Sequence, residues 1–192
     1  MTVLILGLVV FLATHSVRIF ADDWRSKQVA RLGLRTYKNI YSVVALAGLV
    51  LIVWGYGLAR ADPVALWTPP VWTRHVSALL NLPAFILLAA ANPKGNFIKA
   101  AVGHPMVLGV KVWAFAHLIA NGTVADVALF GSFLVWSVAD FGASRRRDRR
   151  ERTQHPVGTP ARNALTVVIG IALWLLFAFW LHAWLIGVAP FG

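Results

Sequence analysis

The stretch Gly103-His104-Pro105-Met106-Val107-Leu108-Gly109-Val110-Lys111-Val112-Trp113-Ala114-Phe115-Ala116-His117-Leu118-Ile119-Ala120-Asn121-Gly122 sets two histidines and a lysine in a segment otherwise apolar enough to lie in lipid. Asn121-Gly122 is a turn dipeptide, and Thr123 with Asp126 three residues later makes a capping-box pattern that starts a second apolar run. An apolar segment that closes on a tight turn and restarts predicts a transmembrane helical hairpin. Pro105 suits the first turn of its helix, where a missing N–H costs nothing, so His104 falls at or just before the cap. Ionisable groups inside a membrane are costly, which makes this stretch the first candidate for a chemical centre.

Composition supports the same class. The 192 residues are 59% hydrophobic, and the mean hydropathy of +0.71 lies far outside the soluble range. Cysteine is absent, which excludes disulfides, iron–sulfur clusters, thiolate zinc sites and cysteine nucleophiles. Histidine, carboxylate and backbone remain as metal ligands. The net charge of +11 does not point to nucleic acid, because the basic residues lie mostly in short loops between apolar runs. Before Asp22 there is no basic leader and no small-residue cleavage site, so the N-terminus reads as a retained first span.

Six spans are expected, at about 2–20, 41–59, 71–91, 105–121, 124–142 and 164–188, within a single domain covering 1–192. All must be helical, since an open sheet edge in lipid leaves backbone groups unsatisfied. The fold class is therefore all-α, a polytopic transmembrane bundle, with Pro83 expected to kink the third span. Loops one, three and five carry fourteen Lys and Arg, from Arg25 to Arg162, while the second and fourth offer only Arg60 and Arg74. That bias places loops one, three and five in the cytoplasm and both termini outside. The run 144–152 and the segment to 162 read as a basic cytoplasmic loop that rests on anionic headgroups or docks a protein partner.

Among the six histidines, His155 is expected to be solvated in that loop, His75 lies near the outer interface, and His182 falls among Trp174, Trp180 and Trp184 as an interfacial or packing residue. His15 and His117 can both approach the middle third of the bilayer. Two imidazoles on different spans, with no thiol or carboxylate beside them, fit bis-histidine ligation of a haem better than zinc. The competing reading for His117 is a histidine hydrogen-bonded between helices. Arg18, one turn from His15, can pair with a haem propionate or snorkel to the headgroups. His104 and Lys111 share a face turned away from His117, towards the cytoplasmic side, and Asn121 either orients a ligand or caps the turn.

The residues Ala13-Thr14-His15-Ser16, Gly103-His104-Pro105-Met106 and Trp113 to Gly122 resemble the NnrU family of bacterial membrane proteins, relatives of the plant and cyanobacterial 15-cis-zeta-carotene isomerases. The resemblance covers nearly the whole chain. It implies a multi-pass protein of the bacterial inner membrane, in a family named for an association with nitrite and nitric oxide reduction. In the isomerase branch it implies a b-type haem held by residues matching His15 and His117, with ligand exchange freeing the iron for cis-to-trans isomerisation of a polyene. That branch has a cysteine three residues before the second histidine, where this chain has Ala114. A thiol-for-imidazole switch therefore cannot operate here, which separates haem binding from isomerisation.

Three functions follow as expectations. The first is a haem b protein in redox or gas-linked chemistry, with a small gaseous ligand. The second is a haem-dependent isomerase of an apolar, carotenoid-like polyene, and the third a non-catalytic assembly or haem-handling factor with a cytoplasmic or membrane protein partner. A transporter is disfavoured, because the span-associated acids Asp126 and Asp140 lie near helix ends. No P-loop, dinucleotide fingerprint or HExxH motif is present.

Overall fold

The computed structural model describes residues 1–92 and 95–191, so the basic residue counted at position 94 lies outside the described residues. Among the described residues eight helices follow in order: α1 (Thr2–Phe20), α2 (Asp22–Leu32), α3 (Leu34–Ala61), α4 (Trp72–Ala90), α5 (Phe97–Val102), α6 (Pro105–Ala120), α7 (Val124–Glu151) and α8 (Pro160–Ile186). Five of them, α1, α3, α4, α7 and α8, are long and apolar enough to cross a membrane. The apolar α6 has 16 residues, about 24 Å at 1.5 Å per residue against a hydrocarbon core of about 30 Å. Large apolar side chains such as Val43, Val53, Trp54, Phe179 and Trp184 face outward, as they must where lipid is the solvent.

The ends of the helices sort into two faces. At one, Arg18 and Asp22 share a cleft with Arg146, Arg147 and Arg150, Gly103 lies against Arg145, Asp148 and His155, and Gly95 lies against Gly158. At the other, Trp67 N–H donates to the Gly122 carbonyl at 3.2 Å, Arg60 Nη1 donates to the Ile186 carbonyl at 2.8 Å, and Leu4 packs on Gly55. The first and third connections and the one after α7 thus share the basic face, while both termini share the other. This arrangement requires α6 to make a pass despite its length, and it gathers the basic residues at one face.

Two loops expected from the sequence are instead helical. Residues 22–32 form α2, a polar helix with Arg31 in its last turn. The apolar part of α7 ends near Gly142, yet the helix runs on through the arginines to Glu151, so only 152–159 of the expected basic loop lacks helix. The reason is propensity: Arg and Glu are good helix formers, and the overhang needs no apolar face once it has left the lipid. Helix α4 continues on both sides of Pro83.

The helices form two groups. Helix α1 packs along α3, and α4 lies between α6 and α8. Helix α7 joins the groups by touching both α1 and α6. The core lies between α1, α3 and α7, around Leu4, Leu8, Ile52, Leu129 and Phe130. The α6–α7 turn has its expected capping box: Thr123 Oγ1 accepts from Asp126 N–H, while the Asp126 carboxylate accepts from the N–H and hydroxyl of Thr123 at 2.9 and 2.7 Å. The same carboxylate, 4% exposed, accepts from Tyr56 Oη of α3 at 2.6 Å.

Small residues let the first pair meet closely, the usual solution where lipid removes the hydrophobic drive between helices. A Cβ on Gly7 would stand 2.6 Å from the Ile52 nitrogen, and one on Gly48 would stand 2.8 Å from the Phe11 nitrogen. Gly7→Val and Gly48→Val should each force α1 off α3 and cost about 1–3 kcal/mol, measured as a lower unfolding midpoint in detergent. Gly57→Ala, with nothing within 4 Å of the new methyl, should leave the midpoint unchanged.

Candidate functional site

Helices α4, α6 and α8, with residues 188–190 beyond α8, line an open cavity of about 500 Å³. Close contacts hold the three together: a Cβ on Gly109 would stand 3.0 Å from the Ala84 carbonyl, and one on Gly170 would stand 2.6 Å from Ile86 Cα. Small side chains at Ala78, Ala84, Ala120 and Ala178 leave the space, and Phe85, Trp113, Trp174 and Phe177 wall it. Trp174 Nε1 donates to the Ala78 carbonyl at 3.1 Å, pinning α8 to α4. Arg74, Asn81, His117, Asn121 and His182 bring polarity to an otherwise apolar lining.

His117 stacks on Phe130 of α7, with centroids 4.7 Å apart, and lies 5.2 Å from the Trp113 ring. Its Nδ1–H donates to the Trp113 carbonyl at 2.8 Å. His182 lies on the same cavity with its Nδ1–H on the Val188 carbonyl at 2.6 Å. The two rings are 6.5 Å apart between centroids, with planes 23° from parallel. In both, a backbone carbonyl holds the Nδ1 proton, which leaves Nε2 with its lone pair available as a ligand.

His15 has the same local design in a different compartment. Its Nδ1–H donates to the Phe11 carbonyl at 2.8 Å, its ring stacks on Phe11 at 4.1 Å, and Tyr41 and Trp136 meet it edge-on. Phe133 stands between the compartments, 5.7 Å from Phe11 and 5.6 Å from Trp113. Among the described residues no ring contact joins His15 to His117. Their neighbours on α7, Trp136 and Phe130, are six residues apart, which offsets the two levels by about 9 Å along that helix.

The remaining residues marked out by the sequence serve other ends of the molecule. Asn121 lines the cavity and caps its own helix by donating Nδ2–H to the His117 carbonyl at 2.8 Å. Ala114 is fully buried in helix packing, away from the cavity lining. Arg18 is half exposed, 3.8 Å from Asp22. Lys111 is half-buried on α6 and makes no hydrogen bond or ion pair with any described residue. His104 Nε2 lies 2.8 Å from Asp148 Oδ2, and His155 Nε2 lies 2.9 Å from the same oxygen. His155, expected to be solvated, is therefore half-buried and bonded. Burial works against the Asp148 charge, but the hydrogen bond from His155 and the charge of His104 outweigh it and hold the carboxyl below its usual range.

A family model described as NnrU protein matches residues 3–190 of the chain. The chain belongs to the NnrU family. No curated protein and no solved structure matches it.

In this NnrU protein the site residue that the sequence reading missed is His182. Its tryptophan-rich surroundings suit an interfacial belt. Residues 177–181 form a π-helical turn, and a second one, 127–131, ends beside Phe130, the residue stacked on His117. Such turns are single-residue insertions and cluster at functional sites. Histidine-labelled NnrU protein free of added ligand should show His15, His117 and His182 as Nδ1–H tautomers by 15N NMR. An Nε2–H signal from His117 would contradict the hydrogen bonding described above.

Proposed function

We propose that this NnrU protein is a membrane-embedded b-type haem protein, with the α4–α6–α8 cavity as its haem pocket and His117 as an axial ligand. The observation that carries the reading is the pair of imidazoles across that cavity, each with Nδ1 engaged and Nε2 free. The two rings lie 6.5 Å apart between centroids on one cavity, so both residues could hold the same iron. The volume is ordinary for a cofactor site, the aromatic walls suit a macrocycle, and Arg74 offers a charge-assisted partner for a propionate.

His182 is therefore the favoured second ligand. His15, the partner implied by the resemblance, would reach the same iron only with Phe11 and Phe133 displaced. Arg18, expected to pair with a propionate or to snorkel, does not line the cavity, and neither do His104 and Lys111. When bound, the haem would supply one-electron redox chemistry, in keeping with the nitrite and nitric oxide association in the family's name; a small gaseous ligand would need the position of one of the two imidazoles. The chain's own contribution is to hold both imidazoles by their Nδ1 protons and to keep water out with an apolar wall.

Purified protein supplemented with haem should show a Soret band in oxidised and reduced spectra. His117→Ala should weaken haem binding by about tenfold or more, His182→Ala should do the same, and His15→Ala should retain haem. Loss on His15→Ala with retention in His182→Ala would move the second ligand to His15. Full haem in His117→Ala, or no Soret band in the wild type, would refute the proposal.

The apolar cavity also suits a polyene, which favours a second reading as an isomerase acting within the bilayer. Co-expression with a poly-cis carotene pathway should then shift the isomer profile; an unchanged profile with haem-replete protein argues against it.

A further inference from the structure

At the opposite end of α6 from the cavity, three side chains from three separate segments converge. His104 is the N-cap of α6, Asp148 lies on the basic overhang of α7, and His155 belongs to the stretch between α7 and α8. Both Nε2 atoms approach Asp148 Oδ2, at 2.8 and 2.9 Å. The two rings are 5.6 Å apart between centroids and cross at 84°, so they reach the same point from different sides. One ligand atom from each residue lies within 4.8 Å of the other two. All three are half-buried, with side-chain exposures of 22%, 13% and 17% for His104, Asp148 and His155. Gly103, at φ 76°, turns the chain into His104 without a side chain to obstruct the cluster; a Cβ there would stand 3.2 Å from His155 Nε2 and 3.4 Å from Asp148 Oδ2.

We propose that His104, Asp148 and His155 bind a divalent transition-metal ion, with zinc as the best match, at the cytoplasmic face of the protein. Two imidazoles and one carboxylate are the donor set of an open zinc site, whose fourth position is left to water. Geometry and donor type fit zinc better than magnesium or calcium, which require mostly oxygen ligands. A simple latch between α6 and the stretch before α8 needs one imidazole on Asp148. The second, aimed at the same oxygen, is redundant for a latch and required for a chelate.

Bound metal would tie three segments that otherwise share only hydrogen bonds, ordering the connection into α8. Arg145 stands beside the cluster, with Nη1 3.0 Å from where a Cβ on Gly103 would be. Its charge opposes the ion's and limits affinity, so its removal should strengthen binding. This site is independent of the haem reading, since His104 and His117 are 13 residues apart in sequence, about 20 Å along α6.

The test uses tag-free, chelator-stripped protein in detergent, titrated with cobalt(II) followed by optical absorption and with zinc(II) followed by calorimetry. One ion per chain is expected, with the intense visible bands of tetrahedral cobalt displaced by zinc. His104→Ala and His155→Ala should each weaken binding by about tenfold or more, Arg145→Gln should strengthen it, and His75→Ala should leave it unchanged. His155 lies outside any helix, so its variant should fold; thermal melts of each variant in chelator check this. Failure of the wild type to bind either ion, or equal affinity in a folded His155→Ala variant, overturns the proposal.

Discussion

The carboxylate of Asp126 holds the arrangement on which the cavity depends. Buried at the end of the molecule opposite the basic face, it accepts from the backbone and hydroxyl of Thr123 and from Tyr56 of α3. A charged group so placed is tolerated because each hydrogen bond is charge-assisted and the capping box supplies two donors from one residue. Its consequence is geometric. The turn sets where α7 begins relative to α6, and the bond to Tyr56 ties that turn to the first helix group. Phe130, six residues after the start of α7, is thereby delivered to the face of His117. Elsewhere the sides of the bundle meet through aromatic contacts and through hydrogen bonds such as Arg60 Nη1 to the Ile186 carbonyl and Trp67 N–H to the Gly122 carbonyl.

Most of the bundle was legible in the chain because lipid leaves a sequence few choices. A run such as Thr2–Phe20 has to be helical, and its length fixes that it crosses. Asn121-Gly122-Thr123 and Asp126 announced the hairpin, since turn and cap chemistry is local. Pro105 and Lys/Arg asymmetry were equally direct. What could not be read were the helices beyond the lipid. Residues 22–32 and 144–151 have no apolar period strong enough to separate a polar helix from a loop, and their helicity rests on propensity and continuity with neighbouring spans.

The candidate site divided along the same line. His117 stood out because an imidazole within an apolar helix has few ordinary uses, and Asn121 followed from its position at the turn. Pairing was another matter. Which second histidine shares a cavity with His117 depends on how α4, α6 and α8 pack, and that is set by Gly109, Gly170 and small alanines that look unremarkable in sequence. The convergence of His104 and His155 on Asp148 was hidden for a related reason: 44 and 7 residues separate the partners from the acid, and only folding the overhang back over α6 brings them together.

The π-helical turn at 177–181 keeps α8 in phase with its cavity. Trp174, Ala178 and His182, at steps of four, all line it. Each residue of an α-helix turns the next by about 100°, so without the extra residue that the turn takes up His182 would be rotated by about 80° from Trp174. Length in this segment is therefore a coordinate of the site. A regular α-helix over the same residues would keep its hydropathy, its span and its family signature, and would turn its last histidine by that angle away from Trp174.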